Sequence, residues 1–126
     1  MGTGDVAPVR RLREVRGRLY AEYHEVNDEH FGGLLPALAI RIRTLQAKRG
    51  KVGKVMEFVP HPYTGLPAYL LADETFVLTD DWNTVREKLR HEIVHVWQAV
   101  MGHHDNHGPT FRAMCKRLNI PAKAVD

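Results

Sequence analysis

Cysteine is almost absent from this chain, with Cys115 alone among 126 residues. A single thiol excludes an intrachain disulfide framework and a four-cysteine zinc ribbon, so any metal must sit on histidines and carboxylates. Long apolar runs are missing too: no stretch approaches the roughly 20 residues needed to span a bilayer. The opening Met-Gly-Thr-Gly-Asp-Val has neither a signal-peptide core nor the hydroxyl residue of a myristoylation signal. These absences lead us to expect a soluble, intracellular protein, cytoplasmic or at the nucleoid or nucleus, with no membrane partner. Repeats, linkers and low-complexity tracts are also missing. At 44% apolar composition, the length suits one domain over 1–126, with its core over about 9–120, acting as a monomer.

The formal charge is only +3, but the positive residues are unevenly placed. Arg10, Arg11, Arg13, Arg16 and Arg18 crowd one region, and Arg41, Arg43, Lys48, Arg49, Lys51 and Lys54 crowd another. Clustered cations displace counterions from phosphates, so DNA is a candidate partner; a solvated helix face has the same composition.

Hydrophobic periodicity outlines the fold. Leu12, Val15, Leu19, Tyr23 and Val26 recur at helical spacing, between Pro8 and Gly32-Gly33, and predict a long first helix over 9–31. Leu38, Ile40 and Ile42 then alternate with Ala39, Arg41 and Arg43. With a turn at 48–51 and an extended segment over 52–59, they predict an antiparallel hairpin. A loop over 61–67 leads to a predicted third strand at 74–79. Thr84 and Glu87 have the spacing of a capping box, and Val85, Leu89, Ile93, Val96 and Val100 form the stripe of a second helix. Pro109, Phe111, Met114, Cys115 and Leu118 outline a short third helix. The expected class is α+β, with a three-stranded, mostly antiparallel sheet.

The second helix carries His91-Glu92-Ile93-Val94-His95. Residues four apart lie one turn above each other, so both imidazoles can reach one zinc ion from a helix face distinct from the apolar stripe. A carboxylate at Glu92 can take a proton from a water that the metal acidifies and return it to a leaving amine. A catalytic site needs a third protein ligand and an open fourth position. No glutamate follows Glu92, which excludes a downstream glutamate ligand, and Met101 stands where the metzincin spacing requires histidine. His103, His104, Asp105 and His107 remain. His107 is the choice, because Gly108-Pro109 fixes its backbone at the start of a helix, and Asp105 ranks second. A deformylase-type site needs a cysteine upstream of the helix, and none exists.

These motifs resemble the SprT-like family, which includes the Spartan proteases. The resemblance rests on Phe-Gly-Gly-Leu-Leu-Pro at 31–36, on His91-Glu92-Ile-Val-His95-Val-Trp97-Gln98, and on His107-Gly108-Pro109-Thr110-Phe111. It implies a zincin-like α+β domain with zinc on His91, His95 and His107 and with Glu92 catalytic. It further implies proteolysis of DNA-associated or DNA-crosslinked proteins.

Two functional classes follow. One is a zinc metalloendopeptidase acting on a protein or peptide substrate; the other is a DNA-binding module whose zinc is structural. By analogy with zincins, the peptide would lie along 76–79 as an added strand. Trp82 and Trp97 are expected in the core or the cleft wall. Tyr63 and Tyr69 stay outside the catalytic set, and Cys115 reads as a small buried hydrophobe.

Overall fold

The computed structural model describes residues 9–45, 54–103 and 106–121. Elements follow in the order α1 (Leu12–Phe31), β1 (Ala39–Arg43), β2 (Met56–Pro60), β3 (Pro67–Asp73), α2 (Glu74–Thr79), α3 (Trp82–Val100) and α4 (Pro109–Arg117). The expected turn at 48–51, and Pro8, lie outside the described residues. Among the described residues, no helix is long and apolar enough to cross a membrane.

The class is α+β as expected, but the sheet is mixed. Its order is β1-β3-β2, with β1 parallel and β2 antiparallel to β3. The expected β1–β2 hairpin is therefore replaced by a β2–β3 hairpin. Its turn is closed by Gly65 N–H to His61 O at 2.9 Å, with Gly65 at φ 73°. The reason is legible in composition. Residues 67–72 are almost continuously apolar, which suits a strand flanked on both sides, whereas β1 alternates with Arg41 and Arg43 and suits an edge.

The predicted strand at 74–79 is the helix α2. Asp73 ends β3 and caps this helix, accepting from Phe76 N–H at 3.0 Å, while its other oxygen accepts from Leu45 N–H at 2.9 Å. Val77 is buried from a helical turn, so cap and packing override the β-propensity of Thr-Phe-Val-Leu-Thr. The predicted capping box is also displaced. Asp81 caps α3, accepting from Thr84 N–H at 3.3 Å, and the helix starts at Trp82. The first helix begins later than expected. Arg10 donates its backbone N–H to Leu78 O and its guanidinium to Asp80 O, which holds residues 10 and 11 extended beside α2.

Ile40, Leu70 and Phe58 lie side by side on one sheet face, as do Ile42, Ala72 and Met56. This face meets Val15, Leu19, Tyr23 and Val26 of α1 and Val85, Leu89, Ile93 and Val96 of α3 in one core, which α4 closes with Phe111, Met114 and Cys115. On the opposite face Glu57, Val59, Tyr69 and Leu71 are half-buried, and the Arg41 guanidinium lies 4.2 Å over the Tyr69 ring. Unpaired edge N–H groups need partners, and the helices supply them: Ile40 N–H donates to Tyr20 Oη at 2.8 Å and Phe58 N–H to Glu92 Oε1 at 2.9 Å.

The glycine pair that closes α1 has a conformational reason. Gly32 and Gly33 stand at φ 57° and 79°, a region costly for residues with a Cβ, and the chain then turns back along the helix. There the Asn27 side chain binds both backbone groups of Leu35 at 2.9 Å, and Tyr23 Oη donates to Pro36 O at 2.6 Å. Three helices meet at Arg90, whose Nε donates to Glu22 of α1 at 2.7 Å and whose Nη1 donates to Leu118 O beyond α4 at 2.7 Å.

Two expectations follow. The Arg90 and Glu22 side chains are only 13% and 10% exposed. Removing one partner strands a buried charge, so Glu22→Leu should lower unfolding stability by about 3–5 kcal/mol, and Glu22→Leu/Arg90→Met should recover most of that loss. Urea denaturation of the three proteins measures this. Burial pushes the Cys115 thiol up to about 11. The reactive thiolate is thereby suppressed, so Cys115 should resist iodoacetamide at pH 8 in the native protein and react fully in urea.

Candidate metal centre

Helix α3 delivers three of the predicted residues. His91 and His95, one turn apart, have ring centroids 5.0 Å from each other, and Glu92 sits beside them. His107 arrives from the turn ahead of α4. There Gly108 N–H donates to Asn106 Oδ1 at 2.9 Å and Pro109 occupies the first helical turn. The result is convergence of all three imidazoles: His95 Nε2 to His107 Nε2 is 3.2 Å and His107 Nε2 to His91 Nε2 is 3.3 Å. Among the described residues, these three form the group whose donor atoms all lie within 4.8 Å of one another.

The sequence places His91 and His95 on a helix face distinct from the apolar stripe, and the structure buries that face as well. Both are 7% exposed, and His107 is half-buried. They are covered by Phe111, whose ring centroid lies 4.9, 4.7 and 4.7 Å from those of His91, His95 and His107. Helix α3 is thus buried on the histidine side as well as along its apolar stripe.

The arrangement fits a metal ion. Imidazole nitrogens turned on one another at this distance repel unless a proton or a cation sits among them. Tetrahedral coordination at about 2.0–2.1 Å separates two ligand nitrogens by roughly 3.4 Å, close to the spacing found. Three neutral imidazoles with no thiolate suit zinc and related borderline cations better than calcium or magnesium.

Glu92 is 4% exposed. Its Oε1 accepts from Phe58 N–H of β2 at 2.9 Å, and its Oε2 stands 3.4 Å from Lys88 Nζ and 3.9 Å from His91 Nε2. The carboxylate is therefore charge-compensated and aimed at the histidine cluster. A cleft of about 100 Å³, lined by Met56, Glu57 and Phe58 of β2 and by Glu92, His95 and His107, opens beside it.

The other sequence candidates fall elsewhere. His104 and Asp105 lie outside the described residues. His103 is exposed, its ring edge-on to Trp97 at 5.2 Å. Trp97 also packs near Phe31, and Trp82 lies under the Arg18 guanidinium at 3.9 Å; both are partly buried against the core. Tyr63 is 91% exposed at the β2–β3 turn, and Tyr69 is on the sheet face away from the core, under the Arg41 guanidinium. No strand exists at 76–79 to align a peptide.

Sequence reading missed three contributors. Phe58 acts through its backbone N–H, which no residue type advertises, and Lys88 lies one turn ahead of Glu92. Gln98 is the third: it bonds His95 Nδ1 at 2.8 Å, and its position three residues after His95 on the same helix was a usable signal.

The SprT-like family model matches residues 19–125, a span that holds the three histidines, Glu92 and the Gly32-Gly33 turn. Comparison with curated proteins gives no match, and comparison with solved structures gives none. On the extent of the family match, with the histidine cluster it contains, this chain belongs to the SprT-like family.

Proposed function

We propose that the protein is a zincin-like zinc metalloendopeptidase that hydrolyses peptide bonds of proteins on or near DNA. The observation that carries this reading is the convergence of His91, His95 and His107 Nε2 atoms beside the buried carboxylate of Glu92. A zinc ion held there supplies Lewis acidity, which acidifies water and polarises a carbonyl.

The chain's own residues do the rest. Glu92 accepts the proton of the attacking water and delivers it to the departing amine. Phe58 N–H and Lys88 keep the carboxylate oriented between those transfers. The adjacent strand edge suits the substrate. Asp73 N–H bonds Val55 O, so in this antiparallel register Glu57 and Val59 turn their backbone groups towards β3, while Met56 and Phe58 turn theirs towards the cleft. A peptide added along β2 next to the histidines pairs with outward backbone groups other than Phe58 N–H, which Glu92 holds.

Support for DNA association comes from exposed Arg11, Arg13 and Arg16 at the start of α1 and from exposed Arg43 on β1. Arg10, Arg18 and Arg41 have structural partners instead, on Asp80, Trp82 and Tyr69.

The zinc-loaded protein should cleave a DNA-crosslinked protein substrate. Glu92→Gln should lower the turnover rate by about 10²–10⁴-fold, the range of a lost general base, while native mass spectrometry still finds the metal. His107→Ala should lose the metal and the activity together. Full activity in Glu92→Gln would remove the assigned base, and full metal retention in His107→Ala would move the third ligand.

A further inference from the structure

Gln98 is the most deeply buried polar side chain near the centre, at 1% exposure. All three of its hydrogen-bonding groups outside the helix ladder are engaged. Its amide Nε2 donates to Asn106 O at 3.0 Å, its Oε1 meets His95 Nδ1 at 2.8 Å, and its backbone O accepts from His103 N–H at 2.8 Å. Helix α3 is thereby joined, through one residue, to a metal ligand and to both ends of the segment leading to His107.

These bonds have a direction. A backbone carbonyl only accepts, so the group facing Asn106 O must be the amide NH₂. The amide orientation is then fixed, and Oε1 is the atom that faces His95. Since Oε1 also only accepts, the proton between them belongs to His95 Nδ1. A neutral imidazole with its proton on Nδ1 has its lone pair on Nε2, and His95 Nε2 is the atom turned towards His107 Nε2.

From this geometry we infer that Gln98 is a positioning residue for the metal centre: it holds His95 in the Nδ1–H tautomer and, through Asn106 O, sets the position of His107. A carboxylate in its place would accept from His95 but could not donate to Asn106 O. An aliphatic side chain would do neither. The interaction couples two of the three ligands that lie on different elements, so its loss acts on the whole cluster. This inference rests on the metallopeptidase reading only for its use of zinc; the tautomer is a property of the chain itself.

The test has two arms on the 126-residue chain. Long-range ¹H–¹⁵N spectra of the zinc-free wild type should show His95 as the Nδ1–H tautomer. Gln98→Leu, checked by its amide spectrum to be folded, should show a tautomer mixture. Competition with a chromophoric chelator should then give zinc affinity about 10–100-fold below wild type for Gln98→Leu, the usual loss when a ligand's orienting partner is removed. Gln98→Glu should keep the Nδ1–H tautomer and still bind zinc more weakly than wild type, because the Asn106 bond is gone. An Nε2–H tautomer in the wild type overturns the inference even if neither variant folds. So does a folded Gln98→Leu with unchanged tautomer and zinc affinity. A wild type that binds no zinc yet shows the Nδ1–H tautomer refutes the peptidase reading and the zinc role, and leaves the Gln98–His95 bond standing.

Discussion

Two imidazole nitrogens of α3, on His91 and His95, held 3.3 and 3.2 Å from His107 Nε2 beneath the Phe111 ring are the constraint on which this structure turns. Such an arrangement is unfavourable unless a proton or a cation sits among the nitrogens, and it requires side chains from α3 and from the turn ahead of α4 to be held in register. Helix α3 can supply two of them because one helical turn separates His91 from His95. The third depends on where α4 begins. The Gly108-Pro109 start, the Asn106 turn and the Phe111 ring locate His107, while Arg90 ties α3 to Glu22 and to the end of α4. The buried core beneath serves to keep these elements from shifting relative to one another.

Much of the centre was legible in sequence because its chemistry is encoded locally. A four-residue histidine spacing has meaning on a helix before any tertiary contact is known, and a histidine just ahead of Gly-Pro has little backbone freedom. The long first helix was legible for a similar reason, since its stripe, Leu12 to Val26, repeats over about four turns. What escaped was non-local. The pairing of β1 with β3 rather than β2 depends on which strand is buried on both sides, and β1 and β3 are joined in a parallel sense across more than twenty residues of intervening chain. The run at 74–79 has strand composition but becomes helical because Asp73 caps it and Val77 fills a core position. Burial of the histidine face was likewise invisible, because Phe111 reaches it from a different helix.

The contact between Glu92 and Phe58 N–H links two parts of the architecture that sequence reading treats separately. It satisfies a donor on an edge strand, and it orients a carboxylate beside the histidines. An edge strand left open would invite indiscriminate pairing. Here its outward groups face a narrow cleft, so any strand that pairs with β2 must do so next to the metal centre. The surface charge divides in the same way. Arg10 and Arg18 hold the start of α1 against α2 and α3 and Arg41 lies over Tyr69, while Arg11, Arg13, Arg16 and Arg43 are exposed.

An X-ray absorption spectrum of the zinc-loaded protein at the zinc edge separates an open three-histidine centre from a closed one. Three imidazole ligands and a fourth position that takes up an added hydroxamate are expected. A metal sphere closed by four protein ligands, unchanged by the hydroxamate, would contradict the open centre and leave a structural zinc site in its place.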